Sequence, residues 1–163
     1  MNTALRYREA GENKDLDALM ATLAPDVVFH SPLSARAGFH GHDELRELFG
    51  VVFSMIGELR YHTDVGDERT HMLAATTTLG EHTMEESCLL RFDENGLINE
   101  ITMFVRPLPA LTRLMAALGP GLARAQGRRA VAALVGVAAG PLVFMTESGD
   151  KTLVPFVTAR SRQ

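Results

Sequence analysis

Thr83-Met84-Glu85-Glu86-Ser87-Cys88-Leu89-Leu90-Arg91-Phe92, then Asp93-Glu94-Asn95-Gly96, then Leu97-Ile98-Asn99-Glu100-Ile101-Thr102-Met103-Phe104-Val105-Arg106 read as two strands joined by a tight turn. Asn-Gly between two such runs is the strongest short-range hairpin signal, because it supplies the positive φ that a tight turn needs.

The pattern extends upstream. Leu59, Tyr61, Thr63 and Val65 alternate with Arg60, His62 and Asp64 at the period of a half-buried strand. Asp67–Glu68 turns the chain into a strand over His71–Leu79, and Gly80–Glu81 turns it again into the strand that begins at Thr83. The region 59–106 is therefore a four-stranded antiparallel meander. Before it, Leu5–Leu23 reads as helix with a break near Gly11–Asn13; Leu16, Leu19, Met20 and Leu23 form its second apolar stripe. Asn13 or Asp15 can cap that second part, and Pro25 stops it. Val27–Phe29 is a short strand ended by Ser31–Pro32, and residues 34–41 form a loop. A helix starting at His42 or Asp43 then presents Leu45, Leu48, Phe49, Val52, Phe53 and Ile56 on one face. After the meander, Pro107–Leu108–Pro109 opens a helix over Ala110–Leu118, which Gly119–Pro120–Gly121 interrupts. A further helix over Arg128–Met145 carries Pro141 as a kink or break. Helices followed by a run of strands argue an α+β fold, with helices on one face of a curved antiparallel sheet.

Three segments carry a family resemblance: Asp15–Leu19 running through Leu23–Phe29 to Ser31–Pro32, His40-Gly41-His42-Asp43-Glu44-Leu45 at a helix start, and the hairpin Leu89–Ile98. Their order and spacing resemble the nuclear transport factor 2-like superfamily, and within it the SnoaL-like polyketide cyclase and ketosteroid isomerase domains. The resemblance covers Leu5 to Leu118 and implies a cone-shaped α+β fold enclosing an apolar pocket. That superfamily hosts isomerases, cyclases, dehydratases, epoxide hydrolases and non-enzymes, so it specifies the fold better than the reaction. Ketosteroid isomerases resemble the chain without a gap from Tyr7 to Pro32. Their helix-1 tyrosine, an oxyanion donor, falls on Tyr7. Their general-base aspartate falls on Ser31, and their second oxyanion donor falls near Cys88. A serine alone cannot remove a carbon-bound proton, so ketosteroid isomerase activity of that type is not expected. Many SnoaL-like relatives keep an aspartate at the Cys88 position, and its loss also weakens a direct cyclase reading.

The same resemblance turns Ile101, Met103 and Val105 inward, and antiparallel pairing then puts Glu86, Cys88 and Leu90 on the inner face of the neighbouring strand. A buried Glu86 would have a raised pKa and could serve as acid or base near neutrality. The alternative is a bulged strand on which Glu85 or Glu86 faces water. Cys88 is either a small core hydrophobe or, beside a histidine, a nucleophile. Tyr7 is either a pocket donor or a packing residue with its hydroxyl at the rim. Ser31 either caps a turn or positions a ligand oxygen. Phe29, Phe53, Leu90, Ile101, Met103 and Val105 are the expected apolar contacts. His30 alternates away from the pocket. His40 and His42 are closer to a helix start than to a metal site, and no metal or other cofactor is expected. His62 shares a strand face with Arg60 and Asp64, which favours cross-strand polar pairing or solvent exposure, with a reserve base at the pocket mouth as the alternative.

The chain has 163 residues, enough for one domain with a real core, and a single cysteine, which excludes an internal disulfide. The net charge of −4 hides an asymmetry: nine Lys/Arg against eighteen Asp/Glu up to Arg106, and seven against two from Pro107 onward. The basic tail has no aromatics interleaved with its arginines, so nucleic acid is not an expected partner. Met1–Glu9 mixes charges instead of leading into an apolar run, so no secretory signal is expected, and a cytoplasmic location is. Ala130–Met145 is apolar but, at sixteen residues, shorter than the ~20 of a spanning helix, so a membrane span is not expected. Arg124, Arg128 and Arg129 flanking an apolar segment could touch an anionic membrane surface, but a docked tail is favoured over membrane contact. The expected organisation is a SnoaL-like domain over 1–118 and a mostly helical extension over 119–163, docked on the body as a lid or on a partner subunit of a homodimer. The expected function is binding of a small apolar molecule, with cofactor-independent isomerase, cyclase or hydrolase chemistry by acid/base catalysis. The alternative is a non-catalytic binding or dimeric interaction module.

Overall fold

A computed structural model of the chain describes residues 2–36 and 38–158. Residues 159–163, the end of the expected extension, and Ala37 in the expected loop lie outside the described residues. Two compact units emerge, Met1–Arg106 and Pro107–Gln163.

The first unit opens with α1 (Thr3–Asn13), capped by the Asn2 side chain, and α2 (Leu16–Met20), capped by Asp15, whose Oδ1 accepts the Ala18 N–H at 2.9 Å. The break between them falls at Lys14, which adopts φ 54°, so Gly11 stays inside α1. Its missing side chain leaves room for the ring of Tyr61, which would lie 3.3 Å from a Cβ there. Strand β1 (Leu23–His30) starts earlier than the periodicity predicts: Pro25 does not end a helix but sits where the pairing register of β1 shifts, a place where a missing N–H does no harm. The expected loop contains a short strand β2 (Gly38–His40), paired antiparallel to β1. Helix α3 (Gly41–Met55) follows, with the Glu44 carboxylate accepting the His40 N–H at 2.8 Å. Leu45, Leu48 and Phe49 are buried, and Ile56 is buried just beyond the helix end.

The meander is β3 (Arg60–Gly66), β4 (Thr70–Leu79), β5 (His82–Phe92) and β6 (Ile98–Arg106). The open six-stranded sheet has the order β2-β1-β6-β5-β4-β3, with β1 parallel to β6, a pairing absent from the expected all-antiparallel sheet. The β5–β6 turn is not a two-residue Asn-Gly turn, because Gly96 alone in it has positive φ (73°). Gly96 N–H bonds back to the Asp93 carbonyl at 3.1 Å, and the Asp93 Oδ1 accepts the N–H groups of Asn95 and Leu97. This is a turn closed by an αL glycine, with an aspartate replacing the missing ladder partner.

Strand β3 departs from simple alternation. Its register with β4 shifts between Tyr61 and Thr63, so His62 is a bulge residue. Tyr61 pairs with Ala75 but Asp64 pairs with Leu73, which carries Asp64 onto the inner face and leaves Val65, expected inside, 59% exposed.

The second unit consists of α4 (Leu108–Ala125), α5 (Arg129–Thr152) and α6 (Val154–Thr158). The expected interruption at Gly119–Pro120–Gly121 is absent: α4 runs through it, and α5 runs through Pro141. The ring of the buried Pro120 faces Gly136 of α5, so packing of the two helices compensates for the hydrogen bond lost at the proline.

Close approach of the β3–β4 turn makes Gly66 a stringent position, since a Cβ there would stand 2.2 Å from the Thr70 carbonyl oxygen and 2.7 Å from the His71 Cα. Gly66→Ala should destabilise the chain by about 1–3 kcal/mol, read as a lowered urea midpoint. Gly50→Ala in α3, where the nearest neighbour is a Leu16 methyl at 3.7 Å, should raise the midpoint by about 0.5–1 kcal/mol. Equal effects at the two glycines would contradict this packing.

Candidate functional site

Sheet register builds the inner wall of the first unit as three rows. Tyr61, Ala75, Glu86 and Val105 form one row across β3, β4, β5 and β6. Asp64, Leu73, Cys88 and Met103 form the next. His71, Leu90, Ile101 and Phe29 form the third, the last contributed by β1. Leu73, Ala75, Leu90 and Ile101 are wholly buried. Phe29 packs edge-on against Phe49 of α3 with ring centroids 6.0 Å apart, and Phe49 lies 6.3 Å from Phe53. Every expected apolar contact residue thus lies on this wall or on the helix against it, with Phe53, Met103 and Val105 partly buried.

Of the two adjacent glutamates, Glu86 is the inward one. Glu85 is exposed on the other face and pairs with Arg106 at 3.2 Å. Helix α1 supplies Tyr7, which is buried within interaction range of both Cys88 and Glu86. Desolvation pushes the Glu86 carboxyl up to about 7. Burial also pushes the Tyr7 hydroxyl well above its ordinary value, and the charges of Cys88 and Glu86 add to the effect. The Cys88 thiol moves up for the same reason, desolvation first and Glu86 second, so it is a thiol and not a nucleophilic thiolate near neutrality. Ser31 follows β1, and its hydroxyl accepts the Leu33 N–H at 3.2 Å, which closes the turn there.

Two residues join the site that sequence reasoning did not include. Tyr61 is held against α1 by its backbone N–H, which donates to Glu12 Oε1 at 2.8 Å. Its hydroxyl is pushed up by burial and then by Tyr7, Glu86 and Cys88. The alternation in β3 did turn Tyr61 inward, so that signal was present. Simple alternation puts Asp64 on one strand face with Arg60 and His62, opposite Tyr61, and the bulge instead brings it to the face of Tyr61. Inside, its Oδ1 lies 2.7 Å from His71 Nδ1 and its Oδ2 lies 3.5 Å from Arg8 Nη1. His71 also borders an open cleft of about 500 Å³ formed with Asn2, Thr3, Gly66, Phe92 and Gly96. Two further histidines are engaged elsewhere: His30 with Glu100 at 3.1 Å, and His42 with the Leu23 carbonyl at 3.1 Å.

The wall therefore offers a carboxyl that titrates near neutrality and two phenols that stay protonated, lined by aliphatic side chains. A proton acceptor beside fixed O–H donors in an apolar setting suits proton transfer at a carbon next to a carbonyl.

Glu86 also sets a pH dependence of stability. With its folded pKa at about 7, above the ordinary 4.5, the folded chain holds a proton that the unfolded chain releases. Its contribution is fully present below about 4.5 and is lost as pH rises through about 7. Replacing Glu86 by Gln should remove that slope. Urea unfolding at low and high pH should show the variant gaining on the order of 2 kcal/mol relative to the parent across this window. Parallel pH profiles for the two chains would refute it.

The SnoaL-like domain family matches residues 4–101. A steroid delta-isomerase from Pseudomonas aeruginosa superposes with a TM-score of 0.65 at 25% identity, over 77% of this chain and 89% of that one. A protein with a cystatin-like fold from Silicibacter pomeroyi gives 0.67 at 25% identity, over 79% and 93%. SalBIII, an epoxide hydrolase/cyclase-like enzyme in pyran ring formation, gives 0.54 at 11% identity, over 64% and 88%, a likeness of fold alone. No curated protein sequence matches the chain. An open curved sheet with this strand order, packed on its inner face by N-terminal helices, and a family match across most of that unit lead to one assignment: the chain belongs to the SnoaL-like domain family.

Proposed function

We propose that this chain catalyses cofactor-independent proton transfer on a small apolar carbonyl compound of polyketide, terpenoid or steroid type, held in an apolar pocket against the inner wall. The carrying observation is the position of Glu86 on that wall, in the row of Tyr61 and within range of Tyr7. The Glu86 carboxylate takes the proton from a carbon next to the carbonyl, and the electron pair moves onto the carbonyl oxygen. Tyr7, with Tyr61 as a second donor, hydrogen-bonds that oxygen. The proton returns at a different carbon in an isomerisation, or the enolate carbon attacks a second carbonyl in a cyclisation. The base thus comes from β5 instead of from the Ser31 position, where the ketosteroid isomerase resemblance would put an aspartate. The likeness to a steroid delta-isomerase at 25% identity supports the substrate class.

Exchange of carbon-bound hydrogen for deuterium tests this without knowledge of the true substrate. A panel of steroidal enones, β-diketones and terpenoid ketones in D2O should reveal at least one compound that the parent chain labels. Exchange should rise with pH through about 7, as Glu86 loses its proton. Glu86→Gln should lower it by about 100-fold or more, and Tyr7→Phe should lower kcat more than it raises KM. Unchanged exchange in Glu86→Gln would end the proposal.

One observation favours a second role for the same unit. On the outer sheet face Phe104 is 51% exposed, and it lines a cleft of about 250 Å³ with His62, Ala74, Ser87 and Arg106 that also reaches Ala75, Glu86 and Val105 of the inner row. A second copy of the chain seated there would cover that ring, giving a homodimer. In that case Phe104→Arg should convert the dimer to a monomer in light scattering while leaving the inner wall intact.

A further inference from the structure

The sixteen residues from Ala130 to Met145 contain no polar side chain. In a helix of the second unit, such a stretch leaves no side for water. Helices α4 and α5 form an antiparallel hairpin: Thr112 hydrogen-bonds Thr146 at 2.8 Å, Arg113 pairs with Glu147, and Gly119 faces Val135. One side of α5 is spent on this contact, through Ala132, Gly136 and Ala139. The other side carries Val131, Leu134, Val137, Leu142, Phe144 and Met145, all between 42% and 77% exposed. Helix α5 with its continuation to Val157 is long and apolar enough to cross a membrane by length and composition, and only 11% of its apolar window is buried.

Three features identify what covers that face. First, its chemistry is uniform. A helix that joins a second copy presents a narrow apolar seam flanked by charged positions, whereas α5 is apolar to both sides of its exposed stripe. Second, the hairpin closes on small residues. A Cβ on Gly119 would stand 3.0 Å from Val135 Cγ1, and one on Gly136 would stand 3.7 Å from the Pro120 ring. Close backbone approach through Gly and Ala, with prolines tolerated inside both helices, is how helices associate where apolar burial no longer drives them together. Third, charge is sorted. Arg113 and Glu147 pair across the hairpin, while Arg124, Arg128 and Arg129 are exposed together at its turn, which contains no acidic residue. From that turn the sixteen apolar residues run about 24 Å, close to the roughly 30 Å hydrocarbon thickness of a bilayer.

We propose that the α4–α5 hairpin is a bilayer-binding element, with the exposed face of α5 in the acyl chains and the arginines of the turn against anionic headgroups. The occupant is lipid, in contrast to the docked tail expected from composition.

The chain has no tryptophan, so Phe144→Trp provides a single reporter on the exposed face. The purified full chain should float with vesicles of phosphatidylcholine and phosphatidylglycerol in equal parts. The Trp emission should move to shorter wavelength and be quenched by lipids brominated in their acyl chains. Leu134→Asp with Val137→Asp, both at exposed positions, should lower the bound fraction at least tenfold while circular dichroism shows the helices retained. Arg128→Glu with Arg129→Glu should remove the preference for phosphatidylglycerol over pure phosphatidylcholine. Three results would overturn the proposal. One is a chain that stays in the aqueous fraction with unchanged emission. Another is a dimer that ignores vesicles and that the double aspartate variant dissociates, which assigns the face to a second copy. The third is a monomer whose Trp is already shielded without lipid, which assigns it to the chain's own first unit.

Discussion

The pairing of Glu86 with Val105 decides which chemistry the interior of the first unit receives. Glu85 and Glu86 are chemically identical neighbours, and a one-residue slip of β5 against β6 would exchange them. It would also expel Cys88 and Leu90 and bring in Ser87 and Leu89. The register is held from the turn: Asp93 accepts two backbone N–H groups and its own N–H donates to the Leu97 carbonyl at 2.8 Å. It is held again at the far end by the outward Glu85–Arg106 pair. A carboxylate turn closure and a surface ion pair thus place a carboxyl inside an apolar wall.

Much of this was written locally. Alternation in 83–106 sorts Glu86, Cys88, Leu90, Ile101, Met103 and Val105 into one set, the resemblance implies that this set faces inward, and the rows of the sheet contain all of them. Features that depend on partners distant in sequence were not readable. The β3 bulge at His62 arises from pairing with Ala74 and Ala75, and no residue of β3 announces it. Its consequence is large, because Asp64 moves inside and Val65 outside. Strand β2 has three residues, too few to show a period, and exists because β1 offers it an edge. The parallel β1–β6 pairing joins segments about 70 residues apart. Pro120 and Pro141 read as helix breaks on local rules, but the facing helix can repay a lost hydrogen bond that an isolated segment cannot.

The interior groups constrain one another electrostatically. Tyr7, Tyr61, Glu86 and Cys88 all become negative on losing a proton, and Glu86 and Cys88 each raise the cost of ionising both phenols. Arg8, the cation nearby, faces Asp64, as does the His71 ring. The cluster therefore favours one negative charge at a time, and the group with the lowest pKa, Glu86, takes it. Once Glu86 is ionised the two phenols are held more firmly as donors. Base and donors are thus coupled: the charge that allows Glu86 to accept a proton is the charge that keeps Tyr7 and Tyr61 from giving theirs up.

The modest net charge conceals two solutions to the burial problem. In the first unit a sheet turns alternate residues to opposite faces, so apolar side chains can be hidden while most of its eighteen acidic and nine basic residues keep the outside wet. The hairpin of the second unit has no such alternation over Ala130–Met145. A two-helix contact covers one side of each helix at most. Adding arginines at the turn does not relieve this, because they stand at the end of the apolar face and not along it. The excess of basic residues in the tail therefore does not solubilise the hairpin; it marks which end of an apolar rod meets negative charge.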